Sequence, residues 1–272
     1  MSLKQNLVLK VSLTGNKMNR DSFFKLLDNK LDFDIAKLYN TYEKASSRGI
    51  TLFTEEFYPP AIWKALEKMS NKGLNIESYG IFDESDRRIL AFNKLEWDYY
   101  PIRILEIRCN TKFTKLEHKD YLGSIMSLGI KREKMGDLIL KNDDVCYLAT
   151  DDKIATFIQN NLHKIKKLSC ECTILDDFIE IPKIEFKEVA VNIASLRLDC
   201  VVSEIANISR NKAVDLISKG LVLVDYIEVA SKSYEIEEDV RITIRGVGKF
   251  RIKEVSGTTK SGRLKITVLK YA

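Results

Sequence analysis

Apolar residues recur at helical spacing along the first part of the chain, at Phe23, Phe24, Leu26 and Leu27 and then at Ile35, Leu38, Tyr39 and Tyr42. This predicts two helices, the second stopping at Gly49. A further helix is expected after Pro59-Pro60, carrying Ile62, Leu66 and Met69, with a short strand at Thr51–Phe53 between them. From Leu74 to about Glu180 the period shifts back and forth. Strands are expected at 75–81, 88–92, 102–108, 137–140, 145–149 and 168–174, and helices at 119–128 and 153–163. The polar stretch 176–187, which contains Pro182, is the best linker candidate.

Beyond the linker, Leu198, Val201, Val202 and Ile205 mark one short helix, and Ser209 is an N-cap for a second that turns Ala213, Leu216 and Ile217 inward. Gly220 ends it. Leu221–Val224 is then a short apolar run, and Val240, Ile242 and Ile244 alternate with Arg241, Thr243 and Arg245 as in a half-buried strand. That alternation predicts an outer face bearing Arg241 and Arg245, continued past Gly246-Val247-Gly248 by Lys249, Arg251 and Lys253. The fold class expected is α+β. An N-terminal helical segment (1–73, with 1–17 read as an extension or leader) packs on an α/β, RRM-like middle domain (74–180), followed by a small C-terminal domain (187–272).

Charge sharpens this division. The net charge is +5 over 272 residues, and from Phe186 onward 15 Lys and Arg stand against 11 Asp and Glu, so four of the five excess charges lie at the C-terminal end. Such a basic domain favours nucleic acid or an anionic surface. Arg210 and Lys212 fall at the start of the second helix of that domain, where free backbone N–H groups also attract anions, and Lys219 follows two turns later. With Arg197, Ser209, Arg241, Arg245 and Lys249 they form a constellation suited to a phosphate backbone; the alternative is a solvated face with ion pairs to Asp199, Glu204 or Asp215. Asp199 is read as orienting an arginine or capping a helix.

Lys131, Arg132 and Lys134 cluster at a turn after the 119–128 helix, where Gly123, Gly129 and Gly136 allow tight turns and close packing. That turn is a second candidate phosphate site. His118 and Asp120 are a candidate acid–base pair, against which stands the commoner role of a lone His near a helix start, that of capping or hydrogen-bonding locally. Five cysteines, an odd count without framework spacing, suggest a reducing cytoplasm, and Cys170 and Cys172 are read as structural thiols on one strand face. Neither a cofactor-binding loop nor a metal set is expected, since Gly246-Val247-Gly248 lacks a third glycine and the two histidines, His118 and His163, have no partner cysteine pair. No window is long enough to span a membrane.

Two resemblances add to this reading. Leu196-Arg197-Leu198-Asp199, Ser209-Arg210, Leu216-Ile217, Lys219-Gly220 and Glu238-Asp239-Val240 resemble the S-four-type RNA-binding domain, or alpha-L motif, with Asp225 standing where that pattern has Asn. The stretch His118-Lys119-Asp120-Tyr121-Leu122-Gly123, with Leu128-Gly129-Ile130-Lys131-Arg132-Glu133-Lys134-Met135-Gly136-Asp137, resembles the signature of the bacterial YlmH-type RNA-binding proteins. Tyr79-Gly80 with Arg87-Arg88 is similar to another part of that family, although Asp86 precedes Arg87 here. This second resemblance implies a monomeric, non-enzymatic cytoplasmic factor that binds rRNA of the large ribosomal subunit, and peptidyl-tRNA, during rescue or quality control of stalled ribosomes. The first resemblance leaves an alternative open, since S-four-type domains are often appended to RNA-modifying enzymes: a pseudouridine synthase or methyltransferase with an appended RNA-binding domain.

Overall fold

The computed structural model describes residues 18–27, 33–71, 73–110, 115–142, 144–175 and 183–271. The expected leader at 1–17 and most of the expected linker lie outside them. The chain forms a mixed α+β structure with three antiparallel sheets among the described residues.

The first part is built by capping and by an aromatic core. Helix α1 (Arg20–Leu26) starts at Asn19, whose side chain accepts the Ser22 N–H at 2.9 Å. Helix α2 (Ile35–Arg48) starts at Asp34, which accepts the Lys37 N–H at 2.8 Å, and ends at Gly49 with φ of +63°. Phe23 packs between Tyr39 and Tyr42, with ring centroids 5.3 and 5.1 Å away. Strand β1 (Leu52–Phe53), helix α3 (Pro60–Glu67, proline in its first turn), β2 (Ile76–Tyr79) and β3 (Ile89–Phe92) follow, with sheet order β1-β3-β2. Strand β3 is buried along its whole length because α2 lies against it and both edges are paired.

A five-stranded sheet comes next. It comprises β4 (Arg103–Cys109), β5 (Met135–Asn142), β6 (Val145–Thr150), β7 (Lys164–Ile165) and β8 (Leu168–Ile174), in the order β5-β6-β4-β8-β7. Helices α4 (His118–Met126) and α5 (Asp152–Asn161) are its crossovers. Alternation sorts its two faces. Leu105, Ile107, Cys146 and Leu148 meet Tyr121 and Ile125 of α4 and Ile158 of α5. Ile104, Val145, Tyr147 and Ala149 point the other way, onto Phe57, Phe82 and Ile89 of the preceding part. All six residues of β6 are therefore buried.

The C-terminal part contains β9 (Phe186–Ile193), α6 (Leu198–Ile205), α7 (Arg210–Ser218), β10 (Val222–Val224), β11 (Ile227–Glu228), β12 (Arg241–Ile244), β13 (Gly248–Thr258) and β14 (Leu264–Tyr271). Its sheet runs β11-β10-β12-β13-β14-β9. Leu198, Val201 and Val202 of α6 and Ala213 and Ile217 of α7 cover one sheet face, formed by Val222, Ile242, Ile252 and Ile266. Leu216 is only partly buried against that core. Strand β9 begins at Phe186, inside the stretch read as linker, and pairs along its length with β14. Most of β9 is exposed, so its sequence carries little alternation to reveal it.

Candidate RNA interface

The two short helices of the C-terminal part meet at Asp199. Its carboxylate is buried, 3% exposed, and accepts from Arg197 Nε and Nη2, each at 3.2 Å, and from Arg210 Nε and Nη2 at 3.0 and 2.9 Å. A fifth donor is the Cys200 backbone N–H at 3.0 Å. Burial alone would raise this carboxyl, but the hydrogen bonds and charges of the two arginines outweigh it and hold it down to about 2. The Arg197 and Arg210 side chains are 40% and 54% exposed. Asp199 thus orients both arginines, one of the two roles its position suggested.

Beside them, Ser209 caps α7 by accepting the Lys212 N–H at 3.3 Å, and Lys212 is exposed on the first turn. Arg197 and Arg210 thus meet on Asp199, next to the cap Ser209 and the exposed Lys212 of the first turn. Lys219 pairs with Asp215 at 2.8 Å, the i,i+4 surface bridge foreseen as the alternative. Arg245 is exposed just past the end of β12.

Arg241 and Lys249 are not on an open outer face. Arg241 is 1% exposed, with Nε on Asp86 Oδ1 at 2.6 Å and Nη1 on Asp239 Oδ2 at 3.0 Å. Lys249 also contacts Asp86, donates to Tyr226 Oη at 2.6 Å, and lies 3.9 Å from the Tyr271 ring centroid. Tyr271 and Tyr226 hydroxyls donate to the same carboxylate at 2.9 and 3.1 Å. Arg251 reaches Glu84, and Lys64 of α3 reaches Asp239 at 2.9 Å. Alternation correctly set Arg241 opposite Ile242, but the face it points to is covered by the acidic turn Glu84–Asp86 between β2 and β3. Burial opposes the charge on Asp86, yet the Lys249 and Arg241 charges keep its carboxyl below the usual range. Asp225 belongs to the same seam: it occupies the left-handed region with Tyr226 in the tight turn between β10 and β11, and accepts the Arg241 N–H at 2.8 Å.

At the signature turn the three cations part company. Lys131 is 79% exposed. Arg132 turns inward to the carbonyls of Met135 and Gly136, at 2.7 and 3.0 Å, and burial pushes it down to about 10. Lys134 bridges Glu55 and Glu56 at 3.1 and 3.0 Å, a cluster shared with Lys37. A three-cation phosphate cradle is therefore not what the turn presents, because Arg132 closes the turn on its own carbonyls and Lys134 holds it to the preceding part. Gly136 does require its identity, since a Cβ there would lie 2.9 Å from the Phe57 ring and from Ala149 Cβ, and Gly129 has φ of +85°. Gly123 does not: a Cβ there meets open space within a helix. Asp120 accepts the Glu117 N–H at 2.9 Å and pairs with Lys166 at 2.8 Å, so it closes a capping box at the start of α4 and is not free for acid–base work with His118. Asp137, buried at the end of the signature, accepts the Arg87 N–H at 3.0 Å and joins the two family-like stretches.

Among the described residues there is no cluster of three metal-ligating side chains, and no helix is long and apolar enough to cross a membrane. Residues 96–176 match the family described as the putative RNA-binding domain in YlmH. The chain is 30% identical over 187 residues to the ribosome-associated protein quality control protein P2 of Bacillus subtilis (strain 168), covering 68% of this chain and 67% of that protein. A solved structure, the cell division protein ylmH from Streptococcus pneumoniae, aligns with 61% of this chain and 99% of its own at a TM-score of 0.46 and 17% identity. The matched segment spans α4, the 131–137 turn and β5, the stretch whose buried glycine, capping pair and inward arginine have just been described, and on that match and the extended identity the chain belongs to the bacterial YlmH family.

Proposed function

We propose that this protein is a non-enzymatic binder of structured RNA that acts at the large ribosomal subunit, engaging rRNA and peptidyl-tRNA in the quality control of stalled ribosomes, as a cytoplasmic monomer. The reading divides the chain into a helical segment (1–73), a middle domain (74–180) and an S-four-type domain (187–272). The observation that carries it is the buried Asp199 holding Arg197 and Arg210 half-exposed beside the first turn of α7. Preset guanidiniums next to free helix N–H groups suit phosphate oxygens, and fixing them beforehand reduces the ordering cost of binding. The relative's name, a ribosome-associated quality control protein, supports the setting, and the matched family supports RNA as the ligand. Within the basic set the RNA-facing residues are Arg197, Ser209, Arg210, Lys212, Lys219, Arg245 and Lys131; Arg241, Lys249, Arg132 and Lys134 hold the protein to itself.

Sedimentation with purified large ribosomal subunits across a salt series tests this. Arg210→Ala and Lys212→Ala each weaken binding by about 1 to 2 kcal/mol and flatten the salt dependence; Lys212→Ala leaves stability at the parent's, whereas Arg210→Ala also gives up part of what the Asp199 carboxylate contributes. Binding equal to the parent's in both variants refutes the site. Incubation with rRNA, with and without S-adenosylmethionine, should leave the bases unchanged by mass spectrometry; methylated or isomerised bases would establish the modifying-enzyme alternative.

A further inference from the structure

The loop between β3 and β4 presents aromatic side chains to solvent. Trp97 is 72% and Tyr99 91% exposed, with Leu95 and Tyr79 also open. Large apolar side chains gathered in this way mark interaction sites when the loop that carries them is fixed.

This loop is fixed. Asp98 Oδ2 accepts the Leu95 N–H at 2.9 Å and the Thr51 hydroxyl at 2.9 Å, and the Asp98 N–H returns to the Leu95 carbonyl at 3.0 Å, so residues 95–98 close a turn with Trp97 at its tip. Next to it Tyr100 stacks on Tyr79, centroids 4.5 Å apart and planes 24° apart, and packs edge-on to Phe53 at 5.5 Å. The Tyr100 hydroxyl is directed to Glu77 at 3.4 Å. A rigid base therefore carries exposed rings, the arrangement in which aromatic anchors bind with little ordering cost.

Charge decides what kind of partner fits. Glu96 is exposed on the loop itself, Glu77 and Asp83 border the Tyr79–Tyr100 stack, and Asp98 is kept anionic by the hydrogen bonds it accepts. The one cation on the loop, Lys94, lies over the Tyr100 ring at 5.5 Å and donates to the Leu95 carbonyl at 3.0 Å. A phosphate backbone would meet carboxylates here. An arginine or lysine side chain would meet both a carboxylate and an indole or phenol face. We propose that the 93–101 loop, with Tyr79, is a docking surface for a basic, arginine- or lysine-rich protein segment, separate from the RNA-facing residues of α6 and α7.

The test uses the full chain, with Trp97 as reporter. Trp63 is buried, and Trp97→Phe identifies the signal that belongs to Trp97. Three probes are titrated: a short arginine-rich peptide, the same peptide with glutamate in place of arginine, and oligouridine. The arginine-rich peptide is expected to shift the Trp97 emission. Trp97→Ala, Tyr99→Ala and Glu96→Lys, read by peptide anisotropy, should each weaken its binding by about fivefold or more while the thermal midpoint stays at the parent's. Oligouridine shifting Trp97 as strongly as the peptide would overturn the proposal in favour of a base-stacking platform. Self-association that Trp97→Ala abolishes would make the occupant a second copy of the chain and overturn it likewise. A silent Trp97 with all three probes also overturns it. None of these results touches the α7 site, whose own variants are read on ribosomal subunits.

Discussion

Replacing Asp86 by Asn isolates the seam between the acidic turn and the C-terminal sheet. The Asp86 side chain is 1% exposed and serves Arg241, Lys249, Tyr226 and Tyr271 at once, and the Arg241 side chain is itself 2% exposed. Removing one partner of a buried ion pair usually costs about 3 to 5 kcal/mol, because the remaining charge stays desolvated. Arg241 keeps a second carboxylate, Asp239 at 3.0 Å, and Asn retains an acceptor for the tyrosine hydroxyls, so the lower end, about 3 kcal/mol, is expected. Urea denaturation of the full chain measures it, with Arg241→Met and the double variant completing a cycle in which the double loses less than the sum of the singles. The sign with pH follows from the same contacts. The carboxyl lies below its ordinary value in the folded protein, so its contribution is present above the unfolded-state carboxylate pKa and lost as pH falls through the folded one. An Asp86→Asn protein within about 0.5 kcal/mol of the parent at neutral pH would refute the ion-pair account.

Asp199→Asn should weaken RNA binding without any RNA contact of its own, since Arg197 and Arg210 lose their common acceptor; unchanged affinity on ribosomal subunits would contradict the orienting role. Its carboxyl is depressed to about 2, so the stability it contributes is present above about pH 4 and lost toward pH 2. Discounted for half-exposed partners, that contribution is about 1 to 2 kcal/mol, and acid titration of the unfolding midpoint in parent and variant measures it. The glycines of the signature should divide sharply. Gly136→Ala brings a Cβ to 2.9 Å from Phe57 and Ala149 and should cost about 1 to 3 kcal/mol, whereas Gly123→Ala faces open space within α4 and should stabilise by about 0.5 to 1 kcal/mol, both read by thermal denaturation.

Local pattern carried much of the fold. Asn19, Asp34 and Ser209 cap the helices that follow them, Gly49 and Gly220 adopt the positive φ that ends α2 and follows α7, and Val240, Ile242 and Ile244 all face the core. Each of these outcomes depends on residues within a few positions of one another, where capping and alternation act. Strand β9 was hidden for a local reason as well: only Ile193 of its eight residues is buried, so hydrophobicity could not distinguish it from a polar connection.

The site was legible only as far as its chemistry is local. Arg197, Asp199 and Arg210 lie within fourteen positions, and the helical spacing that brings α6 against α7 also brings their charged ends together. Arg241 and Asp86 are 155 residues apart, and the period of β12 fixes the side on which Arg241 lies without saying what covers it. The departure from the family pattern at Asp86 was itself the available signal: an acid placed before Arg87 needs a cation, and the paired strands β12 and β13 supply Arg241 and Lys249, with Arg251 taking the neighbouring Glu84. The basic residues of the C-terminal part are therefore two populations. One is desolvated and neutralised by the protein's own carboxylates, and the other, held open around the start of α7, retains charge that a phosphate can meet.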